Sequence, residues 1–230
     1  MKYFPDMSKY DIGRPSGMAL YCAHMDLDPI GGLIEYTNIS QNSYHELFGH
    51  VIKRADDVAD FKTSSETMDE MVVYSSRIIP LEYNAILLMM MSCLEEGFNT
   101  WCRLEEGYLR KNGNFIVSLS DYVPKKKGDH GIEKACAYLK EYAHVTDIKQ
   151  DHNWGYIDAI RTARNMLVHN GGRVVEKYRE KMNQYEIGMR EEDYGVYIDY
   201  QTIKKMHDAI IEFIDRVFIS NQNFKDECIE

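Results

Sequence analysis

Arg161, Arg164, Asn165, His169 and Asn170 crowd into the twelve residues RTARNMLVHNGG, 161–172. A helix that only packs has no need of two guanidiniums, two amides and an imidazole within three turns. Together they suit phosphodiester chemistry. Histidine can move the proton of a ribose 2′-hydroxyl, and arginine can hold a charged phosphate in a bidentate fork.

These side chains need a helix to carry them. Asp151 and Asn153 are good N-caps, and the pattern that follows predicts a helix ending at Gly171-Gly172. On its wheel Tyr156, Ala159, Ile160, Ala163, Met166 and Leu167 form an apolar arc. Asp158, Arg161, Asn165 and His169 form a polar stripe on the opposite side. Arg164 lies on the other flank, about 140° from His169. His169 falls in the last turn, where the helix dipole favours a cation. A plain reading covers the same residues: Arg164 paired to Glu95 or Glu96, with His169 stabilising the helix end.

Charge placement bears on the choice. The chain as a whole carries a formal charge of −10, which argues against coating nucleic acid by bulk electrostatics. From Lys125 to Lys181, however, 12 lysines and arginines stand against 8 acidic residues. An anion is comfortable only there. Lys125, Lys126 and Lys127 are a candidate phosphate-contacting loop beside Arg161 and Asn170, although a solvated charge run reads the same way. HELFGH (45–50) is a decoy for a zinc motif. Its histidines are five apart rather than four, so they do not share a helix face. No metal and no cofactor is expected, since P-loop, GxGxxG and GxSxG strings are all absent.

The supporting elements read as mostly helical. Residues 1–40 hold Pro5, Pro15 and Pro29 with four glycines, and predict an irregular arm with at most a short helix near 17–25. Helices are expected over 43–62 and 66–79. The longest is expected over 80–110, with Pro80 in its first turn and Gly113 beyond its end. Its run AILLMMMSCL marks a buried element, with Met89–Met91 as adaptable core. Further helices are expected at about 131–145, 173–184 and 201–219, and a small β-hairpin near 185–200. The predicted class is an all-α helical bundle: an arm over 1–40, then one helical domain over 41–230.

The five scattered cysteines show no CxxC pair and fit a reducing compartment. No signal-peptide h-region opens the chain, and the richest apolar run is too short to span a bilayer. A soluble, cytoplasmic protein without membrane contact is expected.

The string ARNMLVHNGG (163–172) resembles the motif of the HEPN superfamily, the helical domains of many prokaryotic nucleases and toxins. That motif is an arginine, usually a polar residue after it, and a histidine four to six residues after the arginine. Here it reads Arg164, Asn165 and His169, and the resemblance covers about residues 75–220. It implies a bundle of the HEPN type with the motif on a late helix, and metal-independent RNA cleavage by a homodimer of defence or toxin type. Each composite site would combine residues of both subunits. The implied roles are His169 as general base or acid, Arg164 as phosphate and transition-state binder, and Asn165 as orienting group. RNA is the implied substrate, with an antitoxin or neighbouring-gene protein as a further partner. Some HEPN toxins carry a modifiable tyrosine two residues after the histidine, where this chain has Gly171. Many members are non-catalytic modules that bind RNA, a nucleotide or a protein, which is the alternative the resemblance carries.

Overall fold

Pro15 occupies the first turn of a helix that runs unbroken to Asp57. A missing N–H costs nothing at that position. This first helix, α1 (Pro15–Asp57), corrects the expectation of an irregular arm over residues 1–40. Pro29 lies within it and costs roughly 3 kcal/mol in a helix interior. Against that stand Ala19, Leu20, Ala23, Leu27, Ile30 and Ile34, all buried at helical spacing. Burying side chains of the Leu or Ile kind yields about 1.5–3 kcal/mol each, so the packed stripe outweighs the proline.

The computed structural model describes residues 7–57, 79–126, 130–145, 148–190 and 195–221. The expected helix at 66–79 lies outside them except for Ile79, as do the last residues of the one expected at 43–62. Among the described residues are six α-helices and one two-stranded antiparallel sheet. After α1 come α2 (Ile79–Lys111), α3 (Ile132–Tyr142), α4 (Trp154–His169), α5 (Glu176–Gln184) and α6 (Tyr200–Ser220). Strands β1 (Met189–Arg190) and β2 (Gly195–Val196) form the hairpin expected near 185–200. The class is all-α with a small hairpin.

Contacts group the chain into two compact units, and α1, α2, α4 and α6 each contribute to both. The first comprises residues 1–29, 89–161 and 206–230. Its centre is aromatic: Phe98 lies 5.2 Å from Phe218 and 6.1 Å from Phe213, and Trp101 lies 4.5 Å from Phe218, all fully buried. Met90 and Met91 are buried as expected, whereas Met89, expected in the core with them, is exposed. Arg216 clamps Asp151 with two hydrogen bonds of 2.7 and 3.0 Å. Cys22, Cys93, Cys102 and Cys136 are free thiols.

The first unit also holds His24, 6% exposed, between two carboxylates. Its Nδ1 lies 2.8 Å from Asp28 and its Nε2 2.7 Å from Asp215, with the Tyr10 ring beside it. Burial opposes the charged ring, but the hydrogen bonds of Asp215 and Asp28 outweigh it and raise the pKa. The linkage follows from that direction. The clasp's stability is fully present below the ordinary histidine value and lost as pH rises through the raised one. Urea unfolding across pH 5–9 is expected to show this loss in the wild type and not in His24→Gln.

The second unit comprises residues 30–88 and 162–205. Its core gathers Tyr83, Ile86, Leu87, Ala163, Met166, Met182, Ile187, Ile198 and Ile203. Tyr200 donates to both oxygens of Glu35 at 2.8–2.9 Å, and Lys204 reaches the same carboxylate at 2.6 Å, which ties α6 to α1. The expected 41–230 domain thus meets a chain whose contacts divide across its helices.

Candidate functional site

The motif helix α4 starts where its capping residues put it. Asp151 Oδ1 accepts the Asn153 N–H at 2.8 Å, and Asn153 O takes the first intrahelical bond, from Ile157 N–H at 3.0 Å. Ile157, Ala159, Ile160, Ala163 and Met166 are buried, which fixes the helix by its apolar arc. The helix ends where the glycines put it. Gly171 and Gly172 have φ of +58° and +81°, and Gly172 N–H returns to Met166 O at 3.1 Å. That six-residue return is a second bond to a carbonyl that already takes the Asn170 N–H at 3.0 Å, and it needs the left-handed backbone glycine permits. Gly172→Ala is expected to cost about 1–2 kcal/mol, read as a lower midpoint in thermal unfolding with unchanged helical circular dichroism.

This cap holds His169 in the last turn with its side chain exposed. Among the described residues no hydrogen bond or ion pair restrains its imidazole. Asn170 is exposed beside it, its backbone carbonyl accepting the Arg173 N–H at 3.1 Å.

The two arginines of the motif helix differ. Arg161 belongs to the first unit and is saturated with carboxylate: Asp158 accepts from Nε at 3.0 Å and Glu133 from Nη1 at 3.0 Å. Burial opposes its charge, but the Asp158 and Glu133 contacts outweigh that and raise its pKa. As a correction, this residue ties α3 to α4, and its fork faces acids in place of an expected substrate. Arg164 belongs to the second unit and is half-buried. Its Nη1 donates to Asn165 Oδ1 at 3.0 Å, while its Nε is buried with no hydrogen-bond partner among the described residues. It forms no ion pair there either. In the first unit, Glu96 is paired with Arg103, and Glu95 lies against Gly131.

Lys125 lies in the first unit and pairs with Glu141 at 3.3 Å, on the surface; Lys126 is exposed, and Lys127 is outside the described residues. His45 and His50 are exposed on α1. No group of three metal-ligating side chains occurs among the described residues. No described helix is long and apolar enough to cross a membrane.

What sequence reasoning missed is the surface built onto the end of α4. Gly172 O accepts the Val196 N–H at 2.7 Å, and Arg173 bridges to Gly195. The hairpin is therefore bonded to the motif's own cap. The available signal was Arg173 directly after Gly-Gly, with alternation resuming at 185–200.

No family model, no curated protein and no solved structure matches this chain. The HEPN resemblance therefore rests on Arg164, Asn165, His169 and the glycines that follow them.

Proposed function

We propose that the chain is an endoribonuclease of defence or toxin type, cleaving RNA by proton transfer without a metal ion. The observation that carries this reading is Arg164. It is a half-buried guanidinium, steered by Asn165, with a buried Nε unpartnered among the described residues and no carboxylate paired to it. A buried donor left without a partner costs about 1–3 kcal/mol, and an anion held by the same guanidinium offsets part of that cost. In a chain of net charge −10, a cation withheld from the abundant acids is suited to an anion from outside.

The exposed His169 supplies the proton transfer. The 2′-hydroxyl oxygen attacks the adjacent phosphorus as its proton passes to a neutral imidazole. The bond from phosphorus to the 5′-oxygen breaks, and a protonated imidazole gives that oxygen its proton. The products are a 2′,3′-cyclic phosphate and a 5′-hydroxyl, and the guanidinium balances the charge that gathers on the phosphoryl oxygens. One chain supplies one such histidine. A homodimer in which two motif helices face each other supplies a base and an acid together and lets Arg164 of one subunit meet His169 of the other.

The test is incubation of mixed structured RNAs with the protein in excess EDTA, followed by analysis of product ends. Cyclic phosphate ends are expected; 3′-hydroxyl ends, or cleavage that vanishes with chelator, would sink this mechanism. A second reading has one observation in its favour. No described residue orients the His169 ring, as suits a non-catalytic module that binds RNA, a nucleotide or a neighbouring-gene protein. Saturable RNA binding without any product selects that reading. A defence or toxin role is tested by inducing the protein in growing cells, where arrest lost with His169→Ala is expected.

A further inference from the structure

We infer that the hairpin bonded to the end of the motif helix is a nucleotide subsite, in which Arg190 and Tyr197 stack on an unpaired base and Arg173 holds an RNA phosphate. The inference rests on the RNA reading above for its ligand and on the hairpin's own register for its geometry. Arg190 pairs with Gly195 across the hairpin, and Gly195 also bridges to Arg173 on its other side. Residues directly opposite in a sheet present their side chains to the same face, and so does the residue two positions along. Arg173, Arg190 and Tyr197 therefore share one face around Gly195.

Glycine makes that face open. A Cβ at Gly195 would stand 4.0 Å from Arg190 Cβ and Cδ, so the arginine stem lies over a position without a side chain. Tyr197 N–H donates to Gly188 O at 2.9 Å, and a Cβ at Gly188 would stand 2.8 Å from Tyr197 O. Both cross-strand neighbours of the pair are thus bare. The Arg190 guanidinium sits 5.7 Å from the centroid of the Tyr197 ring, which remains 37% exposed. A planar cation beside an exposed ring is a platform for a base, since every base offers a π-face to aromatic and guanidinium planes.

Charge assigns the parts. Two guanidiniums flank one glycine on a common face, and Arg173 is exposed without an ion pair among the described residues. An exposed guanidinium so placed suits a phosphate. Position links the surface to the chemistry: Arg173 is four residues beyond His169, and the hairpin hangs on the Gly172 carbonyl.

The test uses a fluorescein-labelled single-stranded RNA of mixed sequence with every 2′-hydroxyl methylated, which binds but cannot be cut. Anisotropy titrations across salt concentrations compare the wild type with Tyr197→Leu, Tyr197→Phe, Arg190→Gln and Arg173→Gln, each checked by circular dichroism. Tyr197→Leu is expected to weaken binding about tenfold, the scale of one lost stack, while Tyr197→Phe keeps wild-type affinity. Arg190→Gln is expected to weaken binding in the same direction. Arg173→Gln is expected to reduce the slope of log affinity against log salt by about 0.7, the loss of one phosphate contact, and Tyr197→Leu to leave that slope unchanged. Equal affinity in the folded variants, or no binding by the wild type, overturns the subsite. The unmodified RNA separates the two proposals. Cleavage dependent on His169 but indifferent to Tyr197 and Arg190 leaves the enzyme and removes the subsite. Binding dependent on Tyr197 without any cleavage leaves the subsite and removes the enzyme.

Discussion

Replacing His169 by alanine is expected to lower RNA cleavage by about 10²–10⁴-fold, the usual yield of a positioned general acid–base. The side chain is exposed and makes no bond among the described residues, so its removal is expected to shift stability by less than about 0.5 kcal/mol. Activity and folding therefore separate cleanly at this residue. Arg164→Ala is expected to lose about 10²–10³-fold, as when one donor to a developing oxyanion is removed. Arg164→Lys is expected to recover little of it, because an ammonium lacks the planar fork that Asn165 steers. Arg161→Lys is the internal control. Its partners are Asp158 and Glu133, so cleavage is expected to stay near wild type while stability falls modestly. The measurement is single-turnover cleavage in EDTA alongside circular dichroism and sedimentation of each variant. Equal cleavage by wild type, His169→Ala and Arg164→Ala would remove catalysis from this helix.

Phe98→Ala is expected to destabilise the protein by about 3–5 kcal/mol, the cost of a large aromatic lost from a packed core. Phe98 is fully buried and lies within 6.2 Å, ring to ring, of Trp101, Phe213 and Phe218. Three large neighbours cannot all collapse into the space left, so a cavity term adds to the lost burial. Urea unfolding is the check, with a lowered midpoint at unchanged slope expected. A change under 1 kcal/mol would mean the aromatic cluster is not the centre of the first unit.

Local chemistry carried most of what was legible in advance. Pro80 in a first turn, Gly113 past an end and the Asp151–Asn153 cap bound α2 and α4 close to their expected limits, because caps act within a few residues of themselves. Alternation gave the hairpin, and the stripe from Ile203 to Val217 gave α6. The N-terminal region was misread for the same reason. Pro29, Gly31 and Gly32 are local breakers, and a sequence window weighs them without the burial of Ala19 through Ile34 that overrides them.

The sequence by itself determined the motif and its cap. Arg164, Asn165 and His169 sit at fixed helical angles, and Gly171-Gly172 can only end what precedes them. Part of Arg161's engagement is local, since Asp158 precedes it by three residues on the same helix, and the rest was decided by tertiary structure. Glu133, 28 positions upstream of Arg161, reaches it only through the packing of the first unit. Arg173 likewise joins Arg190 and Tyr197 on one face only because Val196 reaches back to Gly172. Helix ends follow from neighbours in the chain; the neutralisation of a charge follows from neighbours in space, because ion pairing depends on distance and burial rather than on sequence separation.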